Sequence, residues 1–152
     1  MKKDLIVPRR LEDRPERYKR IVYKQIQDYI KNGSIGFLNL TGTPIESLPS
    51  NLKYVDGSLN LTGTPIESLP SGLTVNGYLD LENTFIESLP SDLTVEGSLD
   101  LDGTKILKLP SGLKVSGNLY IKHTPLSRKY NGVQIRRMIE NSGGNIGNEI
   151  IY

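Results

Sequence analysis

Cysteine is absent from the 152 residues and histidine occurs once, as His123. Without cysteine there is no disulfide framework, no thiol nucleophile and no thiolate zinc site. Long apolar runs are missing too: none approaches the roughly 20 residues of a membrane span. The opening segment, MKKDLIVPRRLEDRPER, is basic, but a short Leu-Ile-Val followed by Pro8 and charges does not read as a secretory signal. There is no Gly-x-Ser-x-Gly elbow, no phosphate-binding loop, no candidate triad and no calcium loop of either the Asp-x-Asp-x-Asp-Gly or the nonapeptide kind. These absences argue against the common enzyme, metal and cofactor classes. The expectation is a soluble, intracellular chain of about one domain, suited to a bacterial cytoplasm.

What the chain has is a repeat: Gly-x-Leu-x-Leu-x-x-Thr-x-Ile-x-x-Leu-Pro-x-x-Leu-x-Val. Its glycines are Gly36, Gly57, Gly77, Gly97 and Gly117, spaced 21, 20, 20 and 20 residues apart. A period of this size marks a solenoid in which each repeat is one coil stacked on the next. Leu38, Leu59, Leu79, Leu99 and Leu119 form a first inward column, and Leu40, Leu61, Leu81, Leu101 and Ile121 a second. Two apolar residues separated by one polar residue is strand alternation, and stacking joins such strands into a parallel sheet. Ile45, Ile66, Ile86, Ile106 and Leu126 make a third column, and Leu48, Leu69, Leu89 and Leu109 a fourth. Leu-x-Val pairs such as Leu73 and Val75 predict a second short strand on the far side.

Thr43, Thr64, Thr84, Thr104 and Thr124 are polar, yet sit between two core columns. A buried hydroxyl needs a partner, which predicts a threonine ladder bonded to backbone of its own or a neighbouring coil. Pro49, Pro70, Pro90 and Pro110 each remove a backbone donor and hold the preceding leucine extended, favouring an irregular far side over a helix. The recurring glycine is expected to permit a tight turn. The extra residue of the first repeat, Lys53 or Tyr54, is expected as a one-residue bulge.

The run Leu-x-Leu-x-x-Thr-x-Ile-x-x-Leu-Pro resembles the leucine-rich repeat, in its short 20-residue bacterial form, with Thr where that family carries Asn. The Thr, the Leu-x-Val-x-Gly segment and the tail from Thr124 to Tyr130 are similar to those of small repeat proteins of bacteriophages and prophages. The resemblance covers residues 36–152. It implies the solenoid fold and places function on the outward residues of the parallel sheet.

Three regions are expected: an N-terminal arm and helical cap over 1–35, five coils over 36–126, and a C-terminal cap over 127–152 with a short helix and a final strand. Residues 14–32 predict a helix, with Asp13 as cap, Pro15 in the first turn and Gly33 as stop. Tyr18, Ile21, Val22, Gln25, Ile26, Tyr29 and Ile30 share one broad face that would cover the first coil. Gly132–Asn141 predicts a second helix, with Val133, Ile135, Met138 and Ile139 as its apolar side, followed by a strand over 148–152. Caps are required because an open coil end exposes unpaired backbone.

Charge is unevenly distributed. Residues 1–35 carry ten Lys or Arg against five Asp or Glu, residues 36–116 four against ten, and residues 117–152 five against two. The outward sheet positions follow this trend, with neutral coils first and acidic ones next. Asp80, Glu82, Asp100 and Asp102 would form a carboxylate cluster, flanked by Tyr78 and Tyr120, with Phe37, Asn39 and Asn60 toward one end and Lys122 at the other. Aromatic anchors beside charge suit a protein partner with a basic surface. The leading expectation is a non-enzymatic protein-interaction module, of the kind a phage would direct at a bacterial host protein. Nucleic-acid binding through basic residues such as Arg9, Arg10, Arg17 and Arg20 is the alternative, opposed by the acidic body. Self-association through a sheet edge is a third. Glu46, Glu67 and Glu87 form a second acidic column that needs no function, and His123 is expected at a turn.

Overall fold

The computed structural model describes residues 14–152; the predicted N-terminal arm and the capping Asp13 lie outside the described residues. The first described element is helix α1 (Arg14–Lys31). It then alternates between two sheets: β1 (Leu38–Asn39), β2 (Tyr54–Val55), β3 (Leu59–Asn60), β4 (Thr74–Val75), β5 (Leu79–Asp80), β6 (Thr94–Val95), β7 (Leu99–Asp100), β8 (Lys114–Val115) and β9 (Leu119–Tyr120). Two helices, α2 (Pro125–Lys129) and α3 (Gly132–Asn141), precede the last strands, β10 (Asn145–Ile146) and β11 (Ile150–Ile151). All pairings are parallel. One sheet runs β1-β3-β5-β7-β9-β11 and the other β10-β8-β6-β4-β2. The predicted solenoid, with a parallel sheet on one face, short strands on the far side and helices at both ends, is the observed architecture.

The inward columns fill the space between the sheets. Equivalent residues pair in register, Leu59 with Leu79 and Leu79 with Leu99. The Leu, Ile and Val columns are buried, most of them completely, except for Leu109 in the fourth column, which is partly buried. The extra residue is absorbed beside Leu52. That side chain is fully buried, whereas the carbonyl that accepts the next coil's Thr74 N–H belongs to Lys53. Two residues thus stand opposite Leu73, which is a bulge.

The glycine column has a different cause from the expected turn. Gly36 alone in this column has a positive φ, +83°. The others are glycine because backbones meet there. A Cβ on Gly57 would lie 2.7 Å from the Gly36 carbonyl carbon and oxygen, and one on Gly97 would lie 2.5 Å from the Gly77 oxygen. Through this contact each glycine N–H donates to the glycine carbonyl one coil earlier, at 3.1, 2.9, 3.1 and 2.9 Å from Gly57 to Gly117. Positive φ belongs instead to the turn after the sheet strand, at Gly42, Gly63, Asn83, Gly103 and His123. His123 therefore sits at a turn, in a conformation that glycine and asparagine adopt at least cost.

Both ends of the stack are closed by side chains. Val22 and Ile26 of α1 are buried on the first coil, and the Tyr29 hydroxyl sits 2.6 Å from the Ser34 carbonyl and 2.9 Å from that of Gly36. Tyr18 and Ile21, expected on the covering face, are exposed. Gly33 ends the helix with φ +85°, as its position predicts.

At the other end the repeat goes further than its spacing suggests. β10 pairs with β8 and β11 with β9, so residues 143–152 add a rung to each sheet, although α2 and α3 lengthen the connection to 31 residues. Ile146 and Asn148 occupy the places of Val115 and Gly117, whose carbonyls accept the N–H groups of Gly147 and Asn148. For the carbonyls of Ile146 and Asn148, no coil among the described residues donates in this way. The Arg136 guanidinium does it instead, one nitrogen donating to the Ile146 carbonyl at 3.0 Å and another to that of Asn148. On α3, Ile135 and Ile139 are buried, whereas Val133 and Met138, expected on the apolar side, are exposed.

Two outcomes test this account. Gly97→Ala should destabilise the protein by about 1–3 kcal/mol or more through overpacking. Gly63→Asn, which copies Asn83, should change stability by less than about 1 kcal/mol; thermal or urea unfolding of both variants measures the contrast. Arg136→Ala should raise amide hydrogen exchange across 145–151 with little effect on β3 to β7. Arg136→Lys should not restore protection, because an ammonium lacks the planar fork.

Candidate functional site

The outward face of the six-stranded sheet is built from residues between and beside the buried leucines. Alternation along each strand turns Asn39, Asn60, Asp80, Asp100 and Tyr120 away from the core. Phe37 is exposed at one end of this face and Lys122 at the other. The sequence-predicted residues therefore do lie on one surface, but most are engaged there already.

The Asn/Asp column holds the turn that follows each strand. Oδ1 of Asn39, Asn60, Asp80 and Asp100 accepts from the backbone N–H two residues on, that of Thr41, Thr62, Glu82 and Asp102, at 2.8 to 3.0 Å. This is the Asx turn, in which a short side chain replaces a backbone acceptor. In the last full coil Tyr120 stands where the Asx residue would be. The Lys122 N–H then takes its acceptor from the preceding coil, Asp102 Oδ1 at 2.6 Å. From the sequence these positions read only as partner-facing side chains of the outward face. The signal for their second role was the restriction of four successive coils to Asn or Asp.

Beneath this turn lie the threonines. All five are buried, and each Oγ1 donates to the carbonyl three residues earlier in its own coil: Thr43 to Leu40, Thr64 to Leu61, Thr84 to Leu81, Thr104 to Leu101 and Thr124 to Ile121, at 2.7 to 2.8 Å. They are internal supports with no exposed hydroxyl for a ligand. Thr124 also accepts from the Ser127 N–H and so caps α2. Among the described residues no buried side-chain polar atom lacks a partner.

Across coils, Ser58 Oγ accepts from the Tyr78 N–H and Ser98 Oγ from the Asn118 N–H, both at 2.9 Å. Tyr78, expected as an exposed anchor, is half-buried, and its hydroxyl donates to Asp100 Oδ2 at 2.7 Å. Burial, and then that carboxylate, push the Tyr78 phenol above its ordinary range. Burial also raises the Asp100 pKa above its ordinary 3.8; the hydrogen bonds from the Asp102 N–H and Tyr78 oppose this, and the charges of Asp102 and Asp80 add to it. Side-chain amides reach three further groups of the face: Asn83 Nδ2 donates to Glu82 Oε1 at 3.1 Å, Asn60 Nδ2 to Asp80 Oδ2 at 3.4 Å and Asn118 Nδ2 to the Tyr120 hydroxyl at 3.1 Å. The Phe37 ring and the Lys122 ammonium stand exposed at its two ends.

Among the described residues no three carboxylates or imidazoles converge closely enough to hold a metal ion. No helix among them is long and apolar enough to cross a membrane.

A carboxyl whose pKa rises on folding favours the folded state when protonated. That contribution is complete below pH 3.8 and is lost as the pH rises through the folded value, so ionised Asp100 is a small net cost near neutrality. Asp100→Asn retains the turn acceptor and should stabilise the neutral-pH protein by well under about 1 kcal/mol, given solvent screening. The gain should vanish in acid. Asp100→Ala should instead cost about 1 kcal/mol, because the Asp102 N–H and Tyr78 hydroxyl lose their partner. Thermal unfolding as a function of pH reads all three results.

No family model, curated protein or solved structure matches this chain.

Proposed function

We propose that the protein is a non-enzymatic protein-interaction module whose outward sheet face recognises a basic surface on its partner. The observation that supports this most is the division of labour on that face. The backbone and the threonines are constant from coil to coil, the Asx oxygen recurs in the first four, and the remaining side chains change from neutral to acidic to basic along the face. A rigid scaffold bearing variable side chains is the arrangement that recognition of a macromolecule uses. A potential graded along a surface roughly 20 Å long, at about 4.8 Å per coil, steers association and sets register. The resemblance to phage repeat proteins extends the reading to a bacterial cytoplasm and a host protein as target, inhibited by occupation of its basic surface.

The test is affinity capture from bacterial lysate with two baits. One is the native protein. The other carries Asp80→Asn, Glu82→Gln and Asp100→Asn, which remove charge while keeping every turn acceptor. The expected result is a partner enriched on the native bait and lost from the second, with an association rate that falls as salt rises. No specific partner, or one retained equally on both baits, overturns the reading. Retention of duplex DNA at low salt by the native protein would favour the nucleic-acid alternative.

A further inference from the structure

The other departure from the repeat lies on a different surface. The third and fourth columns are joined by Glu46-Ser47-Leu48-Pro49, Glu67-Ser68-Leu69-Pro70 and Glu87-Ser88-Leu89-Pro90, three identical segments. The fourth coil reads Leu107-Lys108-Leu109-Pro110. A leucine stands where the outward glutamate was, and it is 62% exposed. Nothing in the packing of the coil demands this change, since three glutamates occupy the position without distortion.

The same segment is where the stack stops covering itself. Leu48, Leu69 and Leu89 are buried, but Leu109 is only partly so, because α3 rather than another coil lies beyond it. A groove of about 390 Å³ remains between Leu107–Ser111 and the two helices, floored by Leu109, Leu126, Ile135 and Ile139 and walled by Tyr130 and Met138. Lys108 and Lys129 also line it. Among the described residues neither has a carboxylate within ion-pair distance, and the Lys129 ammonium lies 5.2 Å from the centre of the Tyr130 ring. Beside Leu107, the Lys105 ammonium lies 4.7 Å from the centre of the exposed Phe85 ring.

We propose that this groove is a second docking site, for an acidic protein segment that places an apolar side chain against Leu107, Leu109 and Met138 and carboxylates on Lys108 and Lys129. The charge selects the class: unpaired ammonium groups beside an apolar floor complement a peptide that alternates apolar and acidic residues. The concave shape disfavours a bilayer, which has no side chain to insert, and a duplex, which has no apolar group for the floor. The site is independent of the outward sheet face and of its proposed partner.

Peptide display on the intact protein tests it, with Leu107→Glu/Lys108→Ser as counter-target. That double variant restores the Glu-Ser-Leu-Pro of the preceding coils and should keep the fold, which circular dichroism and the thermal midpoint verify. The expected result is enrichment of peptides with aliphatic or aromatic residues among Asp and Glu, which bind the double variant about tenfold or more weakly. Lys129→Glu, a single surface change, should weaken the same peptides and keeps the test decisive if the double variant fails to fold. Enrichment of basic or uncharged peptides, affinity unchanged by either variant, or no enrichment overturns the proposal. So does a groove-dependent affinity for a second copy, measured by sedimentation, or for phosphatidylglycerol vesicles or duplex DNA.

Discussion

The contact on which the rest depends is the approach of one coil's backbone to the next at the glycine column. Gly57, Gly77, Gly97 and Gly117 each bring the chain so close to the preceding coil that a Cβ would lie within about 3 Å of its backbone. This approach lets an N–H···O=C bond pass from coil to coil between the two sheets as well as within them. With that link made, the spacing of the coils is the spacing of strands in a sheet, and every equivalent side chain falls over its predecessor. The leucine columns are in register because the glycines are. A single coil would expose both faces of its apolar layer, so the array gains its stability from stacking.

Stacking creates two ends with opposite requirements, and the chain meets them differently. The first coil has an open apolar face, which α1 covers with Val22 and Ile26 while Tyr29 reaches the carbonyls of Ser34 and Gly36. The last rung has an open row of carbonyls. One guanidinium satisfies two of them, because its geometry imitates two successive N–H groups. That substitution closes the end of the five-stranded sheet and of the turn that leaves it, and it explains why a polar residue occurs mid-helix on a side of α3 that faces the stack. The groove beside Leu107 is the remainder of the same problem: a helix of ten residues does not cover what a coil would have covered.

Much of this was legible before any coordinates. The period, the inward columns, the two short-stranded sheets and both main helices follow from spacing, because periodic burial leaves a strong trace in sequence. Three features left a weaker one. The sixth rung was hidden because α2 and α3 stretch its spacing to 31 residues, although Thr124-Pro125 is a legible helix start. The reason for the glycines was misread because a turn glycine and a close-contact glycine are the same letter; only the φ angles and the neighbouring carbonyl separate them. Tyr78 reads as a surface anchor until its bond to Asp100, 22 residues away, is seen. Contacts between side chains of different coils leave no periodic signature.

The candidate face shows why a single column can be both structural and variable. The turn after each strand needs an oxygen two bonds beyond Cβ, and both Asn and Asp provide one at the same place. Exchange between them alters the charge of the surface and leaves the turn bonded. The first two coils use asparagine and the next two aspartate, so the potential along the face changes at no cost in backbone geometry. Once the Asx residue is replaced outright, as at Tyr120, the acceptor must come from elsewhere, and Asp102 of the preceding coil supplies it. That dependence separates the carboxylates by role. Asp102 is tied to its neighbour's turn, Asp80 and Asp100 to their own, and Glu82 to none. Among the described residues Glu82 accepts from the Asn83 side chain alone, so its charge is the one on the face that can change with no backbone donor losing a partner.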